Sequence, residues 1–166
     1  ANGMPISAIA GKAEFMKELD HAFFSMTFGG ECLSLAASIA TIKELQNRDY
    51  SHIWKLGSLF ESGMSDLAIK HDLDIVFAGS GPRHNLTFSD NYEDASGMRD
   101  LFYQEMVKQQ ILFSNVLYIN FAHTENDIIK TIESADNAFK IVKENISSID
   151  KVLEGKRSVA VFRKNT

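Results

Sequence analysis

Two apolar patterns at helical spacing, between residues 31 and 71, constrain the fold more than any other feature of this chain. The first begins at Glu31 and predicts a well-buried helix, because apolar residues recur every three or four positions and small alanines between them permit close packing. Its apolar positions are Leu35, Ile39, Ile42 and Leu45. The second pattern follows a polar break and ends near His71. Together they predict a long helical connector.

After His71 the apolar period changes to that of strands. Residues 75–78 and 86–88 flank a Gly-Ser-Gly-Pro turn and predict an antiparallel pair. A helix over about 96–110 and a strand over 116–121 follow. This order of elements is typical of a small α+β domain. We therefore expect two parts, residues 1–71 and 72–166, with the boundary near His71.

The end of the chain predicts one more helix and a short apolar segment. Thr124 and Asp127 resemble a capping box, and a helix is expected from there to about Asn145. Residues 158–162 have the composition of an edge strand or of an extended tail, and both readings stay open.

Composition and charge exclude several classes of function. The chain has 166 residues and a net charge of −5, and its basic residues are scattered, so neither nucleic acid nor a membrane is an expected partner. The single Cys32, and a first segment unlike a signal peptide, favour a cytoplasmic location. The five histidines have no metal-ligand spacing with one another or with Cys32, so no metal site is expected.

Three stretches of the chain carry a resemblance to a known family. They are Ala1–Ala8 with Gly11, Thr27–Ala37 and Ile119–Ile128. They resemble the class III aminotransferases, which use pyridoxal 5'-phosphate (PLP), and in particular the branch that includes glutamate-1-semialdehyde aminomutase and the aminotransferases of surface-polysaccharide clusters. The resemblance covers most of the chain, and its second stretch is the most specific.

The resemblance implies an α/β fragment of a fold type I PLP enzyme. The fragment would comprise the end of the large domain, a long connecting helix and a small α+β C-terminal domain. In that family the lysine that carries the cofactor stands three residues before the position of Ala1. The resemblance therefore implies a C-terminal fragment that contains no catalytic residue and is inactive alone.

Thr27 and Phe28 are the candidate cofactor-binding residues. The resemblance implies that the Thr27 hydroxyl donates to the PLP phosphate in the active site of the neighbouring subunit, so that a homodimer is required. A helix that starts near Glu31 agrees with this role, because free backbone amides at a helix start attract phosphate. Taken without the family, a threonine before Gly29-Gly30 is ordinary turn chemistry.

Arg83 is the candidate substrate-binding residue. It follows Gly81-Pro82, and a guanidinium can bind a substrate carboxylate through two hydrogen bonds. The competing interpretation is a solvated arginine at the start of a strand.

The activity that the resemblance implies is transfer of an amino group between a small-molecule amino donor and a carbonyl substrate. Two alternatives stay open. One is an aminomutase, although Ala1-Asn2-Gly3 and Gly29-Gly30-Glu31 replace the Gly-Gly-Gly and Ser-Gly-Asn that are usual there. The other is a non-catalytic module for dimerisation or scaffolding that has the same fold.

Overall fold

The structure is a computed structural model, which describes residues 3–23 and 27–159. The chain divides into two compact units, Ala1–Asp49 and Tyr50–Thr166. No helix in the described ranges is long and apolar enough to span a bilayer. The domain boundary expected near His71, between residues 1–71 and 72–166, stays a prediction.

The first unit contains little regular structure apart from one long helix. Helix α1 covers Ala13–Met16 and continues as a 3-10 turn over Lys17–Asp20. Helix α2 covers Cys32–Gln46. Residues 6–10, which resemble a strand in composition, pair with no strand among the described residues. A strand requires a neighbour that accepts its ladder of hydrogen bonds.

Helix α2 forms where the sequence predicts it, but the expectation that it is well buried is wrong for this chain. Ser34 is its only buried residue, and Ile39 and Ile42 are 56% and 53% exposed. The helical pattern marks a face that is suited to packing, whereas burial requires a neighbouring surface. The described part of the first unit does not supply that surface.

The second unit is an α+β structure with one antiparallel sheet. Helix α3 covers Ser51–Lys70, α4 covers Ala95–Lys108, α5 covers Glu125–Glu144 and α6 covers Ile149–Val152. The strands are β1 at Ile75–Ser80, β2 at Arg83–Phe88 and β3 at Val116–Tyr118. They pair in the order β1-β2-β3, and both pairings are antiparallel.

The core of the second unit lies between one face of the sheet and the helices α3, α4 and α5. Aromatic rings fill its centre, where Phe102 stacks on Phe139 with ring centroids 4.8 Å apart. The largest fully buried apolar side chains are Phe102, Phe139, Met64, Leu86, Met98, Leu101, Met106 and Val142. Because side chains alternate along a strand, the residues between the buried ones point away from this core.

Local sequence predicts most elements of the second unit well. The antiparallel pair is confirmed, and α3, α4 and α5 lie within about two residues of the expected positions. The capping box is also confirmed, with Thr124 accepting from the Asp127 amide and the Asp127 carboxylate accepting from the Thr124 amide. Strand β3 is shorter than expected, and α6 is an additional short helix.

The chain after α6 is anchored by ion pairs and hydrogen bonds. The Arg157 guanidinium contacts the carboxylates of Asp94 at 2.7 Å and Asp150 at 2.6 Å. The Ser158 amide donates to Asp100 at 2.8 Å. Ser158 and Val159 are not in a strand, and the rest of the apolar segment expected at 158–162 lies outside the described residues.

Candidate cofactor and substrate sites

Thr27 and Phe28 lie together in the turn that precedes α2. Both are exposed, and the Phe28 carbonyl accepts a hydrogen bond from the Glu31 amide at 3.2 Å. The Thr27 hydroxyl forms no hydrogen bond with another described residue. It is therefore a donor that an anionic group could use.

Glu31 occupies the start of α2. Its carboxylate accepts hydrogen bonds from the backbone amides of Leu33 at 2.8 Å and Ser34 at 2.6 Å. The Ser34 hydroxyl and these two amides favour the charged carboxylate and lower the pKa of Glu31 below its ordinary value. This is side-chain capping of the kind that normally satisfies the orphan amides of a first turn.

The capping changes what the helix start can bind. The sequence-based expectation of free amides for a phosphate is wrong for Leu33 and Ser34, because Glu31 already takes both. The residue that does so carries a negative charge. Sequence reasoning missed this role, although acidic side chains are favourable near a helix start and Glu31 is the residue before the helix.

An open cleft of about 880 Å³ lies beside this turn, within the first unit. Its walls come from residues 5–8 of the first segment, from 28–31, and from the first turn of α2 at Ser34 and Leu35. Phe28 therefore lines a cleft. Glycine and small side chains contribute much of the wall, and they let a ligand approach the backbone closely.

The residues present fit a phosphate group only in part. A phosphate needs several hydrogen-bond donors, and Thr27 offers one. The Glu31 carboxylate would repel the phosphate if the two came close, so further donors would have to come from other parts of the protein. The described residues fit the role of a single neutral donor to a phosphate and do not form a complete phosphate site.

Arg83 opens β2 in the second unit. It pairs with Ser80 of β1 on one side and with Tyr118 of β3 on the other. Its guanidinium carbon lies 5.8 Å from the centre of the Tyr118 ring. Arg83 is exposed, and no carboxylate among the described residues is within ion-pair distance of it, so it remains a candidate for binding an anion.

The turn between β1 and β2 is held tightly against α3. Gly81 has a φ of +56°, and a Cβ atom there would lie 2.4 Å from the Trp54 ring. A Cβ on Gly57 of α3 would lie 2.0 Å from the Gly81 carbonyl oxygen. The Pro82 carbonyl accepts a hydrogen bond from the Ile119 amide at 2.8 Å. These contacts fix the backbone on which Arg83 is presented.

Metal binding finds no support in the described ranges, where no three His, Cys, Asp or Glu residues are grouped as they would be around an ion. His123 instead shapes the turn before α5, where its Nδ1 accepts from the Asn120 amide at 3.1 Å. The His123 carbonyl also lies 3.0 Å from the His52 ring nitrogen, which joins that turn to the start of α3.

The chain was compared with known proteins by sequence and by structure. No family model matches the chain. The glutamate-1-semialdehyde 2,1-aminomutase of Nitrosopumilus maritimus is 31% identical over 163 residues, which cover 86% of this chain and 38% of that protein. Glutamate-1-semialdehyde 2,1-aminomutase 2 of Staphylococcus saprophyticus is 28% identical over 153 residues, with 82% of this chain and 35% of that protein covered.

Solved structures agree on the fold. A transaminase with PLP bound matches with a TM-score of 0.78 at 20% identity, over 88% of this chain and 37% of that one. An omega-transaminase from Sphaerobacter thermophilus matches with a TM-score of 0.71 at 12% identity, over 80% of this chain and 34% of that one. The chain spans somewhat more than a third of the length of the curated relatives.

The fold is therefore that of part of a fold type I PLP transaminase, with a small antiparallel sheet and helices. The resemblance to the class III aminotransferases is confirmed, since the chain is homologous to the glutamate-1-semialdehyde 2,1-aminomutases. The roles of Thr27, Phe28 and Arg83 are not tested by these comparisons.

Proposed function

We propose that the protein to which this chain corresponds is a class III aminotransferase, which uses PLP to transfer an amino group between an amino donor and a carbonyl substrate. The observation that supports this most directly is the TM-score of 0.78 with a transaminase that has PLP bound, together with the homology to aminomutases. When bound, PLP supplies an electron sink for the carbon that exchanges the amino group.

In this proposal Thr27 donates its hydroxyl to the cofactor phosphate, and Phe28 lines the cofactor cleft. The free hydroxyl of Thr27 and the position of Phe28 in the cleft wall support these roles. The lysine that would hold the cofactor is placed by this proposal three residues before the position of Ala1, as the family resemblance implies. Arg83 binds a carboxylate of the substrate, and this role is supported by its exposure and by the lack of an ion pair with any described carboxylate.

We further propose a homodimer in which Thr27 serves the active site of the partner subunit. Amino donor and carbonyl substrate are small molecules, and the protein acts in the cytoplasm, where a single exposed cysteine such as Cys32 stays reduced. Neither nucleic acid nor a membrane is a partner in this proposal.

An aminomutase is the second candidate function. It is favoured by the names of the curated relatives, whereas the structural matches are transaminases. Both activities move an amino group with the same cofactor, so the comparison must be made on products. A single substrate that is isomerised without any external amino donor would identify the aminomutase. A non-catalytic scaffold would bind no cofactor at all.

The cofactor is tested first, with the full-length protein. Added PLP should produce an absorption band of lysine-bound cofactor that borohydride abolishes. Thr27→Val should weaken PLP binding by roughly tenfold or more, because a hydrogen bond to a charged group is lost. Thr27→Ser retains the hydroxyl and is the matched control. Absence of the band in the wild-type protein would contradict the aminotransferase and the aminomutase. The non-catalytic scaffold would then be the remaining candidate function.

A mixed dimer tests the sharing of sites between subunits. One subunit carries Thr27→Val and the other lacks the cofactor lysine, and activity is measured at a PLP concentration that loads the wild type but not Thr27→Val. If Thr27 serves the partner's site, one of the two sites has both its lysine and its threonine, and activity returns on mixing. If Thr27 serves its own subunit, neither site is complete and the mixture stays as inactive as its components.

A further inference from the structure

The outer face of the sheet carries a polar row beside the turn that joins β1 and β2. In the register of the sheet, Ser80 pairs with Arg83 and Arg83 pairs with Tyr118. All three are exposed, while the residues next to Arg83 and Tyr118, His84 and Ile119, are buried. The alternation of side chains therefore places one hydroxyl, one guanidinium and one phenol side by side on the face opposite the core.

Arg83 differs from the other arginines that the structure describes. Arg48 pairs with Glu44, Arg99 with Asp100, and Arg157 with both Asp94 and Asp150. No described carboxylate forms an ion pair with Arg83, although carboxylates are more numerous in the chain than basic groups. A guanidinium that lacks an internal carboxylate retains its full capacity to bind an external one.

Tyr118 holds this guanidinium in place without using up its donors. The distance of 5.8 Å from guanidinium carbon to ring centre is within the range of a cation–π contact. Such a contact engages the face of the guanidinium and leaves its N–H groups in the plane free. The hydroxyls of Ser80 and Tyr118 form no hydrogen bond with another described residue, so they too can donate.

The backbone beneath the row is rigid. The Trp54 ring leaves no space for a Cβ atom at Gly81, and the Gly81 carbonyl leaves none at Gly57 of α3. The amide of Ile119, which follows β3, donates to the Pro82 carbonyl. A binding site is effective when its side chains are presented by such a fixed scaffold, because little order must then be created on binding.

We propose that Ser80, Arg83 and Tyr118 together form a subsite for a carboxylate, in which Arg83 binds both oxygens, the hydroxyls of Ser80 and Tyr118 donate to them, and Tyr118 is the residue that positions Arg83. This extends the role proposed for Arg83 and rests on the proposed function in assigning the carboxylate to the substrate. The planar fork of the Arg83 guanidinium can bind both oxygens of a planar carboxylate. The ammonium group of a lysine has no such geometric match.

Acetate is the probe that tests the subsite in the full-length protein labelled with ¹⁵N-arginine. Sodium acetate, compared with sodium chloride at equal ionic strength, should shift the Arg83 Nε–H signal saturably. Arg83→Lys assigns that signal by removing it. Tyr118→Leu should weaken acetate binding roughly threefold through loss of the cation–π contact. Ser80→Ala should weaken it by a similar factor through loss of a hydrogen bond.

Two controls distinguish positioning from general damage to the fold. Tyr118→Phe retains the ring and should bind acetate more tightly than Tyr118→Leu does. Thr87→Ala changes an exposed hydroxyl on the same strand, away from the row, and should leave acetate binding unchanged. Equal binding by wild type, Tyr118→Leu and Ser80→Ala would overturn the subsite, as would an Arg83 signal that acetate does not shift.

Inorganic phosphate tests whether the subsite prefers a carboxylate or a phosphate. Acetate should bind more tightly than phosphate at equal ionic strength, and the reverse order would overturn the assignment to a carboxylate. The measurement needs neither cofactor nor turnover. The two proposals can therefore fail separately. A missing PLP absorption band would contradict the proposed function, whereas an Arg83 Nε–H signal that acetate does not shift would contradict the subsite.

Discussion

The Glu31 carboxylate lies 2.6 Å from the backbone nitrogen of Ser34, so the first turn of α2 is closed by a negative charge. A helix start with free amides attracts anions through its dipole. Here the cap offsets that attraction and takes up two of the amides. Any phosphate bound at this turn would be held against the field of Glu31, with Thr27 as the donor that the chain contributes.

Glu31→Gln should therefore strengthen PLP binding by the full-length protein, by roughly threefold, since a like charge near the phosphate is removed while the side-chain oxygen can still cap the helix. The measurement is a titration with PLP followed by absorbance. Glu31→Asp keeps the charge and is the matched control. Weaker PLP binding in Glu31→Gln than in the wild type would show that the carboxylate does not oppose the phosphate.

Asp136 joins the end of α3 to α5 through two contacts. Its carboxylate accepts from Lys70 Nζ at 2.6 Å and lies 2.6 Å from His71 Nε2. The hydrogen bond from Lys70, followed by that from His71, lowers the pKa of Asp136. Asp136→Asn should reduce the free energy of unfolding by about 1 kcal/mol, because the contacts are partly exposed to solvent.

The sign of the pH dependence follows from that lowered pKa. A carboxyl with a lower pKa in the folded state stabilises the fold fully above its unfolded pKa, about 3.9, and loses this contribution as the pH falls through the folded value. The difference in unfolding free energy between wild type and Asp136→Asn, measured in urea, should thus shrink as the pH falls below about 4. A difference that persists in acid would contradict the ion-pair account.

Gly57 allows the closest approach of α3 to the turn at Gly81. Gly57→Ala should lower the free energy of unfolding by about 1–3 kcal/mol, because a Cβ atom 2.0 Å from the Gly81 carbonyl oxygen forces backbone apart. This loss is what remains after the gain of about 1 kcal/mol that alanine brings to a helix interior. Gly155→Ala, where no atom lies within 4 Å of the new Cβ, is the control for urea unfolding. A neutral or stabilising Gly57→Ala would show that the turn can move away from the helix.

Much of the fold follows from signals that are local in the sequence. The capping box at Thr124 and Asp127 fixes the start of α5, and the change from helical to strand period marks the sheet. The site depends on contacts that are distant in the sequence. Tyr118 is next to Arg83 only because β3 pairs with β2 in one register, and no local pattern at either residue specifies that register.

The exposure of α2 could not be predicted for a similar reason. Helical spacing of apolar residues indicates that a helix has a face for packing, but the surface that covers the face can come from anywhere in a protein. The capping by Glu31 was in principle readable, because a helix that starts at Cys32 makes Glu31 its cap. A turn before a helix indicates free amides for a phosphate, but it does not indicate whether a side chain already occupies them.

The apolar face of α2 should make the 166-residue chain associate with itself. Ile39 and Ile42 are each more than half exposed and lie about one turn apart, and exposed apolar patches of this kind promote association. The double substitution Ile39→Lys and Ile42→Lys should lower the apparent mass measured by light scattering after gel filtration. Lys43→Glu changes charge beside the face without changing its apolar area, and it should leave the mass unchanged. We expect another part of the full-length protein to cover this face, so the same double substitution should reduce thermal stability and yield there. A full-length protein that tolerates both lysines with unchanged thermal stability would show that the face of α2 is solvent-exposed there as well.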